Sequence, residues 1–202
     1  NTMANRNTVG FGLIPTGTVG STPATAGQGK YFIDAAYDKD LFQGTVVQSK
    51  VGYIKAAEAT RTLLTIGILN GIFYNAATTL KPTFDNKYIQ PITPANSEDI
   101  TAFVIDNPMQ LFVGMLDAAA AQAEYGKTVS TTAADPSGST TSGQSNKKLD
   151  HTNINATNNQ FRLLRSAEDP ENDENAANRS VVVCQNLNQY MQNTGTAGIT
   201  WQ

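Results

Sequence analysis

The chain has 202 residues, of which 40% are hydrophobic and only 15% charged, with a formal net charge of −3. That length suits one domain with long appendages, and the absence of any Lys/Arg run leaves nucleic-acid binding without an electrostatic footprint. The apolar runs fall short of the roughly 18–20 residues that a membrane-spanning helix needs.

Asn, Thr, Ser and Gln replace much of the usual charge, since ordinary soluble domains are about 25% charged. Such a surface loses little on desolvation against another protein. Residues 1–29 read as an extended N-terminal arm, with eight glycines and prolines and Arg6 as the only charge. The first residues lack the apolar region of a signal peptide, so synthesis in a cytoplasm is expected. Val9-Gly10-Phe11-Gly12-Leu13-Ile14 is an apolar island too short to bury itself. It is expected to add to the sheet edge of another chain, with Val9, Phe11, Leu13 and Ile14 as partner contacts.

A β-domain is expected over residues 30–190. Tyr31 to Tyr37 reads as its first strand, and Thr45-Val46-Val47 is a β-branched run that favours a pleated surface. Gly52 breaks this run from Tyr53-Ile54-Lys55. Ile66 to Tyr74 is apolar but carries Gly67 and Gly71, the pattern of a bent or closely approached strand. Further strands are expected over Asp99 to Asp106, Met109 to Val113, Gln160 to Ser166 and Arg179 to Tyr190.

Asp117 to Tyr125 predicts one short helix: Asp117 is an N-cap residue type, alanines follow, and Gly126 can close the end. Residues 127–160 form a long Ser/Thr/Gly/Asn-rich loop, and 191–202 a C-terminal tail with Trp201. The expected fold class is all-β, a small antiparallel barrel or sandwich with that one helix, the long surface loop and the arm.

No catalytic, cofactor or metal constellation is legible. His151 is the only histidine and Cys184 the only cysteine, too few for a zinc site. His151 lies among polar residues with no nucleophile elbow nearby, and Cys184 lies in an apolar run as a small hydrophobe. Asp169 to Asn175 gathers carboxylates but lacks the spacing of a calcium loop. Asn155-Ala156-Thr157 and Asn178-Arg179-Ser180 match the glycosylation pattern, which an Asn/Thr-rich chain meets by chance.

Three segments together carry a resemblance: D-L-F-Q-G-T-V-V followed by I-G-I-L-N-G-I-F-Y, the loop Gly138 to Asp150, and F-R-L-L-R-S-A-E-D-P-E-N-D from Phe161. Over roughly residues 30 to 190 this order resembles virion structural proteins of tailed bacteriophages, including marine and cyanobacterial phages. Among them it is most like capsid decoration, or cement, proteins. The resemblance implies a non-enzymatic protein on the outer capsid surface, bound to the major capsid protein, without cofactor. A homotrimer or homodimer is expected with it. Two other readings of the residues stay open. One is a small-ligand or glycan-binding β-barrel with a cavity lined by Tyr31, Phe73 and Tyr74; the other is a tail or fibre adaptor.

Overall fold

The computed structural model describes residues 4–20, 27–58, 63–155 and 158–191. Thirteen strands follow one another: β1 (Leu13–Thr18), β2 (Gly29–Ile33), β3 (Leu41–Phe42), β4 (Val46–Lys50), β5 (Tyr53–Ala56), β6 (Gly67–Asn75), β7 (Pro82–Asp85), β8 (Lys87–Tyr88), β9 (Ile100–Ile105), β10 (Gln110–Leu116), β11 (Thr128–Val129), β12 (Phe161–Ser166) and β13 (Arg179–Gln185). They pair antiparallel in a five-stranded sheet of order β1-β10-β13-β12-β11 and a six-stranded sheet of order β2-β9-β6-β4-β5, in which β7 also pairs with β6. β3 and β8 form a small ribbon. The fold is all-β and sandwich-like. It is not closed into a barrel.

Alternation along the strands builds two cores, because successive side chains point to opposite faces. Val46, Ile68 and Ile105 face the five-stranded sheet and pack with Leu13, Phe112, Phe161, Val181 and Val183. Their chain neighbours Val47, Leu69 and Val104 face the other way, into a second core with Ile33, Ile54, Ile72, Tyr88 and Ile100. The six-stranded sheet is therefore buried on both faces where the two sheets overlap, and its strands read as continuous apolar runs there. Gly67 permits the close approach of β6 to β9, since a Cβ there would lie 2.2 Å from the Ile105 carbonyl oxygen. The register of β6 on β9 shifts between Leu69 and Gly71, a bulge that bends the strand.

The β4–β5 hairpin turns through Val51 (φ 55°) and Gly52 (φ 81°). Two consecutive positive φ angles make the turn type that matches strand twist, and glycine or asparagine is its usual occupant. Val51 is a β-branched residue in that conformation and is 71% exposed.

Three expectations are corrected. The helix over Asp117 to Tyr125 does not form; only Gln122–Glu124 makes a 3-10 turn, after an extended Ala121. The groups a helix would use are committed elsewhere. Asp117 Oδ1 accepts from the His151 N–H at 2.8 Å, and the Ala120 carbonyl accepts from Arg179 at 3.0 Å. Alanine propensity is too weak to compete with these contacts.

The arm is also not separate from the domain, because β1 pairs along β10 and Leu13 is only 2% exposed. Burial of Leu13 between the sheets supplies the stabilisation that a free arm would lack. Lastly, the 127–160 excursion returns to the core. Leu149 is buried in the inter-sheet cluster, and Ser130, Thr131, Ser145, Lys147, Asp150, Asn153, Asn159 and Gln160 are buried with it. Residues 192–202, including Trp201, lie outside the described residues.

Candidate contact surfaces

The excursion forms isolated bridges and scattered backbone hydrogen bonds in place of long ladders, and side chains supply further bonds to its buried backbone. Asn153 accepts from the Ser130 N–H at 3.1 Å and donates to Ser130 Oγ at 2.9 Å. Asn159 donates to the carbonyls of Asn153 and Thr128, and Gln160 to that of Ala57. The Asn, Ser and Gln that read as a polar surface loop are partly internal bonding groups.

Within this layer lies a buried acid–base pair. Glu58 is fully buried; its Oε1 accepts from the Val46 N–H at 3.3 Å, and its Oε2 is 3.9 Å from Lys147 Nζ. Burial pushes the Glu58 carboxyl up to about 8, although Lys147 and the Val46 N–H pull it down. Burial likewise lowers the Lys147 ammonium, against the pull of Glu58 and Asp135. Lys147 also donates to the carbonyls of Thr132 and Ala134, so it ties the excursion to the end of β5. Nothing local in the sequence marks Glu58, whose partner lies far along the chain.

His151 and the acidic stretch hold structural contacts. His151 Nε2 lies 3.2 Å from Glu124 Oε2. In the acidic stretch, Asp169 and Asp173 each accept from the backbone two residues on, and Asn172 ties the turn to Ser166, Ala167 and Ser180. Among the described residues no group of three His, Cys, Asp or Glu is placed to hold a metal ion. Cys184 is half-buried on the outer side of β13, and burial raises its thiol.

The four predicted contact residues separate. Leu13 belongs to the core, Phe11 is half-buried, and Val9 and Ile14 are exposed. Ile14 pairs with Val113 and Val113 with Val182, so these three form an in-register aliphatic row across β1, β10 and β13. Their neighbours Leu13, Phe112, Val181 and Val183 face the core, which places the row on the outer face of the five-stranded sheet. Val19 and Met109, also exposed, join by a backbone hydrogen bond of 2.9 Å at the far end of the β1–β10 pair. Pro15 sits in β1, on the sheet edge, where a proline removes a donor that an added strand would use. The margin offers side chains to a partner more readily than backbone.

A second apolar row crosses the other sheet. Phe32 pairs with Thr101, Thr101 with Phe73, and Phe73 with Phe84, across β2, β9, β6 and β7. Ile100, Ala102 and Val104 of β9 face the enclosed core, so Thr101 and its row face outward. Phe84 is 73% and Phe32 41% exposed, and the rings of Phe73 and Phe84 lie 4.6 Å apart. Sequence reading missed this row. Its signal was there in strands apolar on both faces, such as Tyr31-Phe32-Ile33 and Ala102-Phe103-Val104.

Comparison of the chain with protein-family models, with curated proteins and with solved structures finds no match.

Proposed function

We propose that this chain is a non-enzymatic binding module that decorates an assembled phage capsid, gripping the major capsid protein from the outer surface of the head. One observation carries the reading: a filled sandwich exposes Ile14 at the margin of one outer face and an in-register phenylalanine row on the other. Rigid strands presenting contiguous apolar side chains mark protein contact surfaces. The interior supports it as well, because Ile33, Leu69, Ile72, Tyr88 and Val104 occupy the space that a ligand-binding barrel would leave open. Tyr31 and Tyr74 pack against that core, and Phe73 lies on the opposite face.

The mechanism is mass action. A module that binds assembled shell and not free subunits stabilises the shell by an amount set by its concentration over its dissociation constant. Two faces on one rigid body let a copy touch more than one neighbour, and each contact after the first forms at high effective concentration. The partner identity rests on the resemblance to decoration proteins, and the exposed margin at Ile14 is the surface assigned to the shell.

The test adds purified protein to expanded shells that lack it. Saturable, stoichiometric occupancy with a raised disassembly temperature is expected. Shells that gain neither mass nor heat resistance would overturn the proposal.

A further inference from the structure

Within the excursion, residues 130–150 make an irregular hairpin. Its arms bond to each other from Asp150 to Ser130, Thr132 to Lys148, Asn146 to Ser137 and Ser139 to Gln144. Leu149 anchors the base in the inter-sheet core. The half nearer the tip closes over the segment that leads into β1.

That segment threads a slot with no room for side chains. A Cβ on Gly10 would lie 2.2 Å from the Asn146 carbonyl oxygen and 2.5 Å from that of Lys147. On Gly12 it would lie 2.7 Å from the Gly44 carbonyl oxygen and 2.8 Å from the Ser145 Cβ. Both walls also bond to the segment. The Gly12 N–H donates to the Lys147 carbonyl and the Leu13 N–H to that of Gly44, each at 3.1 Å. The hairpin is one wall and the body of the sandwich is the other.

Lys147 fastens the hairpin down. From one arm it donates to the Thr132 and Ala134 carbonyls of the other, and its Nζ lies 3.9 Å from Glu58 of the body. The Glu58 site is incomplete: Oε1 has the Val46 N–H, while Oε2 is buried with no hydrogen-bond partner. An ionised carboxylate there is an under-compensated buried charge, whereas the neutral acid costs far less to bury. Lys147 is the charge that acts on Glu58; Asp135 of the hairpin acts on Lys147 and is itself paired with Lys39, ahead of β3. Val46 and residues 10–13 carry no charge. The bonds between the tip and Gln43, at 2.9 Å, join neutral backbone groups and do not titrate.

We infer that the hairpin is a proton-controlled clasp on residues 10–13, closed while Glu58 carries a proton and opened to water when Glu58 ionises. In the closed clasp burial holds the carboxyl up to about 8; hydrated in the open one, it returns to its ordinary 4.5. Between those values opening releases a proton, so the open fraction rises about tenfold per pH unit and levels off above 8. At higher pH Lys147 reverses the trend, because its amine regains a proton on opening. Local opening of this kind leaves the core strands in place.

Amide hydrogen exchange of the full chain from pH 5 to 9, corrected for intrinsic rates, tests this. The Gly12 amide bonds across the slot and the Asn146 amide across the hairpin. The two should share one opening equilibrium, larger than that of the β9 amides, which climbs about tenfold per pH unit up to pH 8. Glu58→Gln, neutral and of the same shape, should keep the clasp closed and remove the climb. Gly10→Ala fills the slot and should raise opening at every pH while β9 stays protected. A wild type with no climb, different pH slopes at Gly12 and Asn146, opening of both only together with β9, or a climb that survives in Glu58→Gln would each overturn the inference. The clasp belongs to the isolated chain, so its test needs no shell and stands apart from the fate of the shell-binding proposal.

Discussion

The two outer faces of the sandwich make different use of the same device. On the five-stranded sheet the row is aliphatic and only its end at Ile14 is exposed; Val113 is half-buried and Val182 buried. On the six-stranded sheet the row is aromatic and stands proud, with Phe84 the most exposed large side chain in it. A smooth aliphatic margin suits a grip on a large, preformed surface. The aromatic row is the more exposed of the two, with Phe84 and Phe32 at its ends. Both rows exist because one residue step along a strand separates core from surface.

The sharpest way to break that comparison is at this single step. Leu13→Ala removes a side chain buried between the sheets and should destabilise the protein by about 2–5 kcal/mol in denaturant titration. Ile14→Ala, one residue on, should change stability by no more than about 0.5 kcal/mol while weakening shell binding. If the two substitutions cost the same stability, the division of β1 into a core and a contact side is wrong.

Next in size is the pH response of the layer beneath both faces. The Glu58 carboxyl has a folded pKa raised to about 8 from an ordinary value of 4.5. Between those values the folded state holds a proton that the unfolded state has lost. The contribution of Glu58 is therefore fully present below about 4.5 and is lost as pH rises through 8, with a slope of up to about 1.4 kcal/mol per pH unit. Lys147 acts in the opposite sense at higher pH: its folded pKa lies below 10.5, so stability rises with pH once the folded ammonium loses its proton and levels off when the unfolded chain loses its own. Glu58→Gln should flatten the fall between pH 5 and 8 in urea titrations. A wild type whose stability holds level there would show that Glu58 stays ionised in the fold.

The smallest expected effect lies at the β4–β5 tip, away from both rows. Val51→Asn places a residue tolerant of positive φ in a turn that demands it, and should stabilise the hairpin by about 1 kcal/mol. It should leave shell binding as it is. An unchanged or lowered melting temperature would mean that Val51 is held by contacts outside the hairpin.

The strands were legible in the sequence because apolar alternation and glycine breaks are local signals. Asp99 to Asp106 was expected where β9 runs Ile100–Ile105, and Gly52 was expected at a turn it does occupy. The sandwich itself was one of two arrangements that this pattern allowed. The failures were long-range. Asp117 and the Ala120 carbonyl are taken by His151 and Arg179, residues that no local pattern connects to them. β1 was read as a free arm because its partner β10 lies almost a hundred residues on, and a Gly/Pro/Thr-rich segment has little β signal of its own. Of the four contact residues named from sequence, Val9 and Ile14 are on the surface and Leu13 is in the core, since alternation along β1 divides adjacent apolar residues between faces. The phenylalanine row escaped notice because each ring comes from a different strand, and only the register aligns them.

Occupancy of expanded shells by Ile14→Asp beside wild type tests the central claim most directly. A carboxylate on the outer face leaves the core intact, so a folded variant with an unchanged melting temperature is expected to bind with at least about tenfold lower affinity. Saturating binding by wild type with this loss in the variant is the predicted result. Equal occupancy by both proteins, or by neither, would contradict the account.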